Sequence, residues 1–546
     1  MRLRLAPGAP AAQVAARVAA FVAALVAALV AGIAHAASFA PFGAWWLQTA
    51  TMAFLVALVL RAQANAGSGA ARAAALGFAF GLGWFVAGVA WLYVSMHRYG
   101  GMPAPIAALA LLLFGAYLAL FPAAVCALAM RAARVGGSAP GAVAAVGMVF
   151  GGGWALAEIA RGYLFTGFPW LAIGYAHVDG PLAALAPLAG VYGVCALAAL
   201  SAYGIGALAA SVGRGGRARP TAVALALVLA LAPLAAGWAM AGRSWSQPTG
   251  RSLAVRLLQG NVPQELKFDP ARSLAAMQAY TAEVLRAPAD LTVLPETAWT
   301  VPWSATPAAL RDALLGHLAR DGGVLAIGMP LWEQAASRDP AAARLTNSVA
   351  VIDRDGSITA RYDKRHLVPF GEFIPRGFGW FVAMMNIPLG EFARGEKVQA
   401  PLAIDGQRVA FDICYEDTFG EELAAQVREG ATILVNVSNI AWFGDSHALP
   451  QHLQIARMRA IELARPVLRA TNTGVTAAID ARGRVVDALP TYSAGALVLS
   501  VQGTTGLTPY ARWGNALPLA LGLVMALCGA LACVASRRSG GANPLE

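Results

Sequence analysis

The sequence predicts a polytopic bundle of about eight membrane-spanning α-helices joined to one layered α/β domain. Of its 546 residues, 58% are hydrophobic and only 13% are charged, which is about half the charged share of a soluble protein. Apolar runs of about 20 residues, each long enough to cross a bilayer, fill most of residues 18–241 and return at 517–536. Between these regions, short β-like runs alternate with helical patterns, which is typical of an α/β domain.

These patterns divide the chain into three regions. We expect a membrane domain with about seven transmembrane helices at residues 1–243, an extra-membrane α/β domain at 244–507, and a C-terminal transmembrane helix with a short tail at 508–546. The predicted spans are 18–37, 44–60, 73–94, 106–130, 141–160, 182–212, 221–241 and 517–536.

Arginines mark one side of the predicted bundle, and they account for much of the net charge of +11. By the positive-inside rule this side is cytoplasmic. Both termini are then cytoplasmic, and the α/β domain lies outside the inner membrane, in the periplasm if the cell has two membranes. No Lys/Arg-rich run with interleaved aromatics indicates nucleic acid as a partner. The arginines on the cytoplasmic side are Arg2, Arg4, Arg61, Arg72, Arg131, Arg134, Arg214, Arg217, Arg219, Arg537 and Arg538.

One acid lies inside the predicted spans. Glu158 and Arg161 are one helical turn apart near the outer boundary of the bilayer. They fit either a local ion pair or a contact with a lipid head group, and the sequence leaves both readings open.

The α/β domain is about 260 residues long, which is enough to bury a full core. Its predicted strands are Leu253–Leu258, Leu291–Leu294, Val324–Ile327, Ser348–Ile352, Ile358–Tyr362, Val409–Cys414 and Ile433–Val437. Its predicted helices are Ala271–Arg286, Pro307–Arg320, Gly420–Glu429 and Gln451–Leu463.

Three of these strands end on groups that could perform chemistry: Glu296, Lys364 and Cys414. Functional groups collect at strand ends in α/β layers. A carboxylate can take the proton of a thiol, and an ammonium can stabilise both the thiolate and the oxyanion formed during attack. The three groups would therefore suffice for acyl transfer through a thioester, although Glu and Lys occur at strand ends in many such domains.

Cys414 has no evident disulfide partner in its own domain, because the other four cysteines lie in long apolar runs. A lone Cys of this kind is either a buried structural thiol or a nucleophile. The chain contains no Cys-x-x-Cys pair and no His/Cys ligand cluster. We therefore expect neither a metal site nor a cofactor.

Several strings resemble known families. Leu-Pro-Glu296-Thr, Tyr-Asp-Lys364-Arg-His and Ile-Cys414-Tyr-Glu-Asp resemble the Glu-Lys-Cys triad of the nitrilase, or carbon–nitrogen hydrolase, superfamily. Longer strings resemble the family of bacterial apolipoprotein N-acyltransferases, and this resemblance covers essentially the whole chain. These strings are Thr166–Trp170, His366–Phe373, Ser438–Gly444 and Gln451–Ala460.

The resemblance implies a nitrilase-like αββα sandwich above the membrane bundle and a ping-pong acyltransferase in the inner membrane. In the last step of lipoprotein maturation, an acyl chain passes from a membrane phospholipid, typically phosphatidylethanolamine, to a Cys thioester. It then passes to the free α-amino group of the diacylglyceryl-cysteine at the N-terminus of an apolipoprotein.

The resemblance also implies roles for individual residues. Cys414 would be the nucleophile, Glu296 the general base, and Lys364 the group that stabilises the oxyanion. Supporting residues would be Glu372, Glu416, Tyr415 and Asn347, while Trp442 and Phe443 would bind substrate on a mobile loop. The family string has an Asp where this chain has Ile440, so a role for that acid is in doubt here.

Two other interpretations of the chain stay open. An outward-facing amidase or nitrilase, anchored only by its helices, would hydrolyse small amides without an acyl-lipid intermediate. A transporter or channel carrying an inactive hydrolase domain would need polar groups inside the helices, and these spans are nearly free of charge apart from Glu158.

Overall fold

The computed structural model describes residues 11–62, 69–137, 139, 141–212, 219–267, 269–333, 344–382 and 391–540. It separates into two compact units. The first comprises Met1–Ala90, Ala108–Arg243 and Asn515–Glu546, and the second comprises Trp91–Ala107 and Ser244–Gly514. This division differs from the expected domain boundaries in two places, because Trp91–Ala107 belongs with the second unit and that unit ends at Gly514. Of the arginines used to predict topology, Arg2, Arg4, Arg214 and Arg217 lie outside the described residues.

The helices follow the predicted apolar runs. Seven described helices are long and apolar enough to cross a membrane, and Trp45–Arg61 is a shorter apolar helix, so the expectation of about eight spans is confirmed. The third helix stops at Gly88 instead of reaching Val94. The α-helices are α1 (Ala11–His35), α2 (Trp45–Arg61), α3 (Gly69–Gly88), α4 (Trp91–Val94), α5 (Ala104–Gly136), α6 (Ala142–Tyr163), α7 (Ala186–Val212), α8 (Pro220–Met240), α9 (Pro270–Val284), α10 (Ala308–Asp321), α11 (Gly379–Val382), α12 (Gly420–Arg428), α13 (Ala448–Leu463), α14 (Pro509–Trp513) and α15 (Ala516–Gly540).

Glycines allow two helices of the first unit to approach closely. A Cβ added to Gly152 of α6 would lie 2.5 Å from the carbonyl oxygen of Gly522 of α15. Without a hydrophobic driving force between helices in lipid, close backbone contact through small residues supplies much of the association.

The Glu158–Arg161 pair is buried inside the first unit, with 3% and 1% of these residues exposed. The guanidinium binds the Glu158 carboxylate and donates a hydrogen bond of 2.8 Å to the carbonyl oxygen of Trp170. This geometry favours the local ion pair over a contact with a lipid head group.

The second unit contains two six-stranded sheets with the orders β13-β2-β3-β4-β5-β6 and β12-β11-β10-β9-β8-β7. In each sheet three neighbouring strands, β2-β3-β4 and β8-β9-β10, are parallel. The strands are β1 (Gln247–Pro248), β2 (Leu253–Gln259), β3 (Leu291–Val293), β4 (Val324–Trp332), β5 (Leu345–Ile352), β6 (Ile358–Asp363), β7 (Leu402–Ile404), β8 (Gln407–Ile413), β9 (Ile433–Ser438), β10 (Val467–Thr471), β11 (Ala477–Ile479), β12 (Val485–Ala488), β13 (Gly495–Val501) and β14 (Thr504–Thr505).

Three apolar clusters show that these elements form four layers. One cluster joins the inner faces of the two sheets and includes Val255, Val293, Phe411 and Val435. A second joins the outer face of the first sheet to α9 and α10. A third joins the outer face of the second sheet to α12 and α13. The predicted αββα sandwich is therefore confirmed, and every predicted strand and helix of this domain is present within a few residues of its expected bounds.

Candidate active site

The candidate site lies where strands of both sheets end. Glu296 follows β3, Lys364 follows β6, and Cys414 follows β8. Parallel strands of one sheet end at the same edge, and the side chains that follow them converge there. The two sheets pack face to face, so groups from both edges meet, and all three predicted catalytic residues belong to this one cluster.

Lys364 is the centre of the cluster. Its buried Nζ donates hydrogen bonds to Glu296 Oε1 at 3.1 Å and to Glu372 Oε1 at 2.9 Å. Burial alone would lower the pKa of this ammonium, but the charges of Glu296 and Glu372 raise the pKa well above its usual value. Lys364 is therefore a permanent cation. An ammonium has three N–H bonds, and the described residues provide acceptors for two of them.

Asn347 links the same two carboxylates from β5. Its Nδ2 donates to Glu296 Oε1 and to Glu372 Oε1, each at 2.7 Å. The second oxygen of Glu372 accepts a hydrogen bond of 2.8 Å from the main-chain N–H of Val368. Glu372 is thus fixed on both oxygens, and through Lys364 and Asn347 it fixes Glu296.

Glu296 is held as a carboxylate. Its Oε2 accepts a hydrogen bond of 2.7 Å from the main-chain N–H of Asn439. Burial by itself would raise the pKa of Glu296, yet the charge of Lys364 and the hydrogen bonds from Asn347 and Asn439 lower it below the usual value. At neutral pH this group is ionised and able to accept a proton.

A chain of side-chain amides fixes the main chain at Asn439. The N–H of Val262 donates to Asn472 Oδ1 at 2.9 Å, which sets the orientation of the Asn472 amide. Asn472 Nδ2 then donates to Asn439 Oδ1 at 3.0 Å, and Asn439 Nδ2 donates to Gln264 Oε1 at 2.9 Å. Because the first donor is a backbone N–H, the orientation of every amide in the chain follows from it.

Cys414 occupies a strained turn. Its φ is +57°, in the left-handed region, which costs a residue with a Cβ about 1–2 kcal/mol. Two side chains hold its carbonyl oxygen, Asn436 Nδ2 and His452 Nε2, each at 3.1 Å. The structure therefore binds the strained peptide from two sides.

His452 is itself fixed by a buried ion pair. Arg469 Nη1 donates to Asp417 Oδ2, and Arg469 Nη2 meets His452 Nδ1, both at 2.9 Å. A guanidinium only donates, so Nδ1 accepts and the ring proton lies on Nε2. That proton points to Asp417 Oδ1 at 3.0 Å and to the carbonyl oxygen of Cys414.

The thiol of Cys414 is partly accessible and is protonated at rest. Burial raises its pKa well above the usual value, and the charge of Glu296 raises it further, while Lys364 opposes them. A thiol needs a base to react as a nucleophile in this state. The charge of Glu296 acts on Cys414, so Glu296 is the candidate base.

Glu416 anchors the turn and lies apart from the proton-transfer groups. Its Oε2 accepts from Tyr362 Oη at 2.9 Å and from the N–H of Ile413 at 2.7 Å. Its Oε1 accepts from the N–H groups of Arg365 and His366 at 2.7 and 3.0 Å. These four hydrogen bonds tie the chain after Lys364 to the chain around Cys414.

The other predicted residues lie in two short turns, Cys414–Thr418 after β8 and Ala441–Phe443 after β9. The ring of Tyr415 packs edge-on against Phe419, with centroids 5.3 Å apart. Trp442 and Phe443 lie half-buried in a turn, Ala441–Phe443, where Phe443 packs edge-on against Trp91 at 4.5 Å. Ile440, at the position of the family Asp, is buried and contacts the main chain of Gly474.

Sequence reasoning missed Lys267. This buried ammonium donates a hydrogen bond of 3.2 Å to the carbonyl oxygen of Glu296. A signal was present in the composition, since only Lys267, Lys364 and Lys397 among the 40 basic residues are lysines. The main-chain N–H of Asn439 was also missed, and no residue type signals a backbone donor.

Comparisons with known proteins agree with the fold. Residues 254–510 match the family model described as carbon-nitrogen hydrolase, and residues 31–204 match that of the apolipoprotein N-acyltransferase N-terminal domain. Among solved structures, an amidase from a Nesterenkonia species is similar at 19% identity and a TM-score of 0.34, over 49% of this chain and 95% of that chain. A likeness of that size supports no conclusion about this chain, and the agreement with the fold rests on the family models.

Relatives are similar over nearly the full length. The apolipoprotein N-acyltransferase of Ralstonia nicotianae is 48% identical, over 93% of this chain and 93% of that protein. That of Bordetella bronchiseptica is 46% identical, over 89% of this chain and 93% of its own. That of Nitrosomonas europaea is 43% identical, over 93% of this chain and 97% of that protein. Identity of this extent across both the helical and the α/β regions shows that the chain belongs to the apolipoprotein N-acyltransferase family.

Proposed function

We propose that this acyltransferase takes an acyl chain from a membrane phospholipid, holds it as a thioester on Cys414, and passes it to the free α-amino group of a diacylglyceryl-cysteine at the N-terminus of an apolipoprotein. One observation carries the proposal: a single ammonium, Lys364, is shared by Glu296 and Glu372 beside a protonated thiol. This arrangement supplies a base, an oxyanion donor and a nucleophile in one cluster.

In the first half-reaction Glu296 takes the thiol proton as the sulfur of Cys414 attacks the ester carbonyl carbon of the phospholipid. The carbonyl π electrons move to oxygen, and the third N–H of Lys364 is the donor available to that oxyanion. When the intermediate collapses, the ester C–O bond breaks. The leaving alkoxide takes the proton from Glu296 and departs as a lysophospholipid.

In the second half-reaction the neutral α-amino group attacks the thioester carbonyl. Glu296 takes one amine proton, the C–S bond breaks, and the sulfur recovers that proton as the amide forms. A ping-pong route of this kind serves two lipid substrates in turn from one pocket. The energy of the ester bond is carried in the thioester, so no nucleotide is needed.

The remaining predicted residues hold this machinery. Asn347 and Glu372 position Glu296 through hydrogen bonds of 2.7 to 2.9 Å. Glu416 holds the turn that carries Cys414 by four hydrogen bonds. We assign substrate contact to Tyr415, Trp442 and Phe443, whose large half-buried rings offer apolar surface to an acyl chain.

The proposal places the α/β domain in the periplasm, with both termini in the cytoplasm and the helices in the inner membrane. It rests on the arginine distribution and on the chemistry, because lipoprotein N-termini mature outside the cytoplasm. Protease added to intact spheroplasts should cleave this domain. Cleavage only after lysis of the spheroplasts would contradict the orientation.

The central experiment is intact-mass spectrometry of the full chain after incubation with phosphatidylethanolamine in detergent micelles. We expect a mass increase of one acyl group, which neutral hydroxylamine reverses, because hydroxylamine cleaves thioesters. Cys414→Ala should show no increase. Cys528→Ala, which removes an exposed cysteine of α15, is the matched control and should be acylated like the wild type.

Two results would contradict the proposal. An adduct that persists in Cys414→Ala would move the nucleophile to another residue. Turnover of small amides by a protein that phosphatidylethanolamine never acylates would favour the anchored amidase.

A further inference from the structure

Lysine is scarce in this chain, and its positions are informative. Of the 40 basic residues, 37 are arginines and three are lysines. Lys397 is exposed, whereas Lys364 and Lys267 are both buried, with 1% and 4% of each residue exposed. An ammonium is a compact point charge, and burial readily shifts its pKa, whereas a guanidinium is planar and stays charged. Two of the three lysines are buried, where this difference between lysine and arginine matters.

Lys267 contacts the main chain of the proposed base. It follows the short turn Gln264–Leu266 after β2, and its Nζ donates to the carbonyl oxygen of Glu296 at 3.2 Å. Its charge acts on both Glu296 and Cys414. The side chain lines a small cavity of about 10 Å³, which has room for about one water molecule.

The charges of the cluster do not balance without Lys267. Glu296 and Glu372 are two carboxylates that share one ammonium, Lys364. When Glu296 takes the thiol proton, its negative charge moves to the sulfur and then to the oxyanion. An uncompensated negative charge in a buried site is costly throughout these steps. A second ammonium restores neutrality at each of them.

We propose that Lys267 is a positioning residue for the proton transfer between Cys414 and Glu296: it anchors the main chain of the base and supplies the second positive charge that balances the two carboxylates. The inference rests on the proposed roles of these two residues. Lys267 acts through Glu296 and the developing charge on sulfur, and makes no contact with substrate.

The electrostatics of Lys267 support this assignment. Burial lowers its pKa to about 8, against the opposing charges of Glu296 and Cys414. Its charge is therefore present at neutral pH and is lost as the pH rises through about 8. The other polar groups around its cavity are the hydroxyls of Ser273, Tyr280, Thr297 and Thr300 and the amide of Asn472.

The test is the pH dependence of single-turnover acylation by phosphatidylethanolamine, without acceptor, in the full-length protein. The variants are Lys267→Met, which removes the charge and keeps an unbranched stem, and Lys267→Arg, which keeps a charge that does not titrate. Lys397→Met, at the exposed lysine, is the matched control and should behave as wild type.

We expect Lys267→Met to be about tenfold slower at pH 7, because the negative charge that develops on the sulfur and the oxyanion loses a balancing cation. Its acid limb should move up by about one pH unit, because a nearby cation lowers the pKa of a carboxyl. The wild-type rate should fall above about pH 8, where Lys267 loses its proton. The acylation rate of Lys267→Arg should not fall in this pH range.

Three outcomes would overturn the assignment. If Lys267→Met is acylated at a rate within about twofold of wild type and with the same pH profile, the charge of Lys267 is not required. An equal loss of acylation rate in Lys267→Met and Lys267→Arg, with unchanged pH profiles, would show that Lys267 only fills space. If Lys267→Met does not fold, Lys267→Arg still tests the assignment. An acylation rate that falls above about pH 8 in Lys267→Arg as well would show that the fall has a cause other than Lys267. Wild-type protein that is never acylated would refute the proposed function instead, and the same profiles are then measured by iodoacetamide alkylation of Cys414.

Discussion

Replacing Asn347 by Leu tests how Glu296 is kept ionised. The change removes both amide hydrogen bonds, to Glu296 and to Glu372, and adds no charge and little volume. A hydrogen bond to a charged group is worth about 1.5–3 kcal/mol, and 1.36 kcal/mol corresponds to one pKa unit. Loss of the bond to Glu296 should therefore raise the pKa of that carboxyl by about 1–2 units.

The direction of the pKa shift follows from whether the amide binds the ionised or the protonated form of Glu296. Asn347 donates to the carboxylate, so it stabilises the ionised form and its removal moves the acid limb of acylation to higher pH. Glu296 has a lowered pKa in the folded state, so its contribution to stability is present above the unfolded pKa and is lost as the pH falls through the folded pKa. Asn347→Leu should weaken that contribution at pH 7 by about 1.5–3 kcal/mol.

Two measurements check this: single-turnover acylation from pH 4 to pH 8 and the midpoint of thermal unfolding at pH 7. Gln502→Leu is the control, because it removes an exposed amide hydrogen bond to the carbonyl oxygen of Gly250 away from the cluster. An acid limb that coincides with that of wild type would refute the view that Asn347 keeps Glu296 ionised.

Three further changes have defined outcomes. In Gly328→Ala the new Cβ would lie 2.2 Å from the carbonyl oxygen of Pro295, so the chain before the base must move; acylation should fall more than tenfold in a single-turnover assay. Lys267→Met should raise the unfolding midpoint at pH 7 although it removes a balancing charge, because burial outweighs the attraction of Glu296 and Cys414: a pKa of about 8 instead of 10.5 costs about 3 kcal/mol. This advantage should shrink between pH 8 and 10.5, where Lys267 of the folded wild type is already neutral. His452→Ala should slow alkylation of Cys414 by iodoacetamide and lower stability by about 1–3 kcal/mol, because it leaves buried hydrogen-bonding groups of Arg469 and of the Cys414 carbonyl with one partner fewer, as thermal unfolding would report.

The three proposed catalytic residues were predictable because each is a side chain that closely follows a recognisable strand. Glu296 and Cys414 each come within three residues of a buried strand, and a strand end fixes where the next side chains lie. Lys267 was missed because seven residues, the last three of them in a turn, separate it from the end of β2. Only the folded path of that turn returns it to Glu296.

Other features were hidden for different physical reasons. The strand β10 was not predicted, because Arg469 interrupts its apolar run. The structure resolves this conflict by pairing that guanidinium with Asp417. The predicted span after residue 73 was extended to residue 94 because Trp91, Leu92 and Val94 are apolar. In the structure those residues begin a segment that packs with the second unit, where Trp91 donates to Gln451 at 3.1 Å.

The opposed pKa shifts of the proposed base and the proposed nucleophile explain how a cysteine can be reactive without being permanently charged. Burial raises the pKa of Cys414 and the lysine-bound environment lowers that of Glu296, so the resting pair is a thiol and a carboxylate. A standing thiolate would be open to oxidation whenever the site is empty. In the proposed mechanism the proton moves only when an ester carbonyl is in place to take up the charge of the sulfur, and Lys364 then binds the resulting oxyanion. The strained turn at Cys414 supports the same attack: the turn presents the sulfur, while Asn436 and His452 hold the main-chain carbonyl oxygen of Cys414.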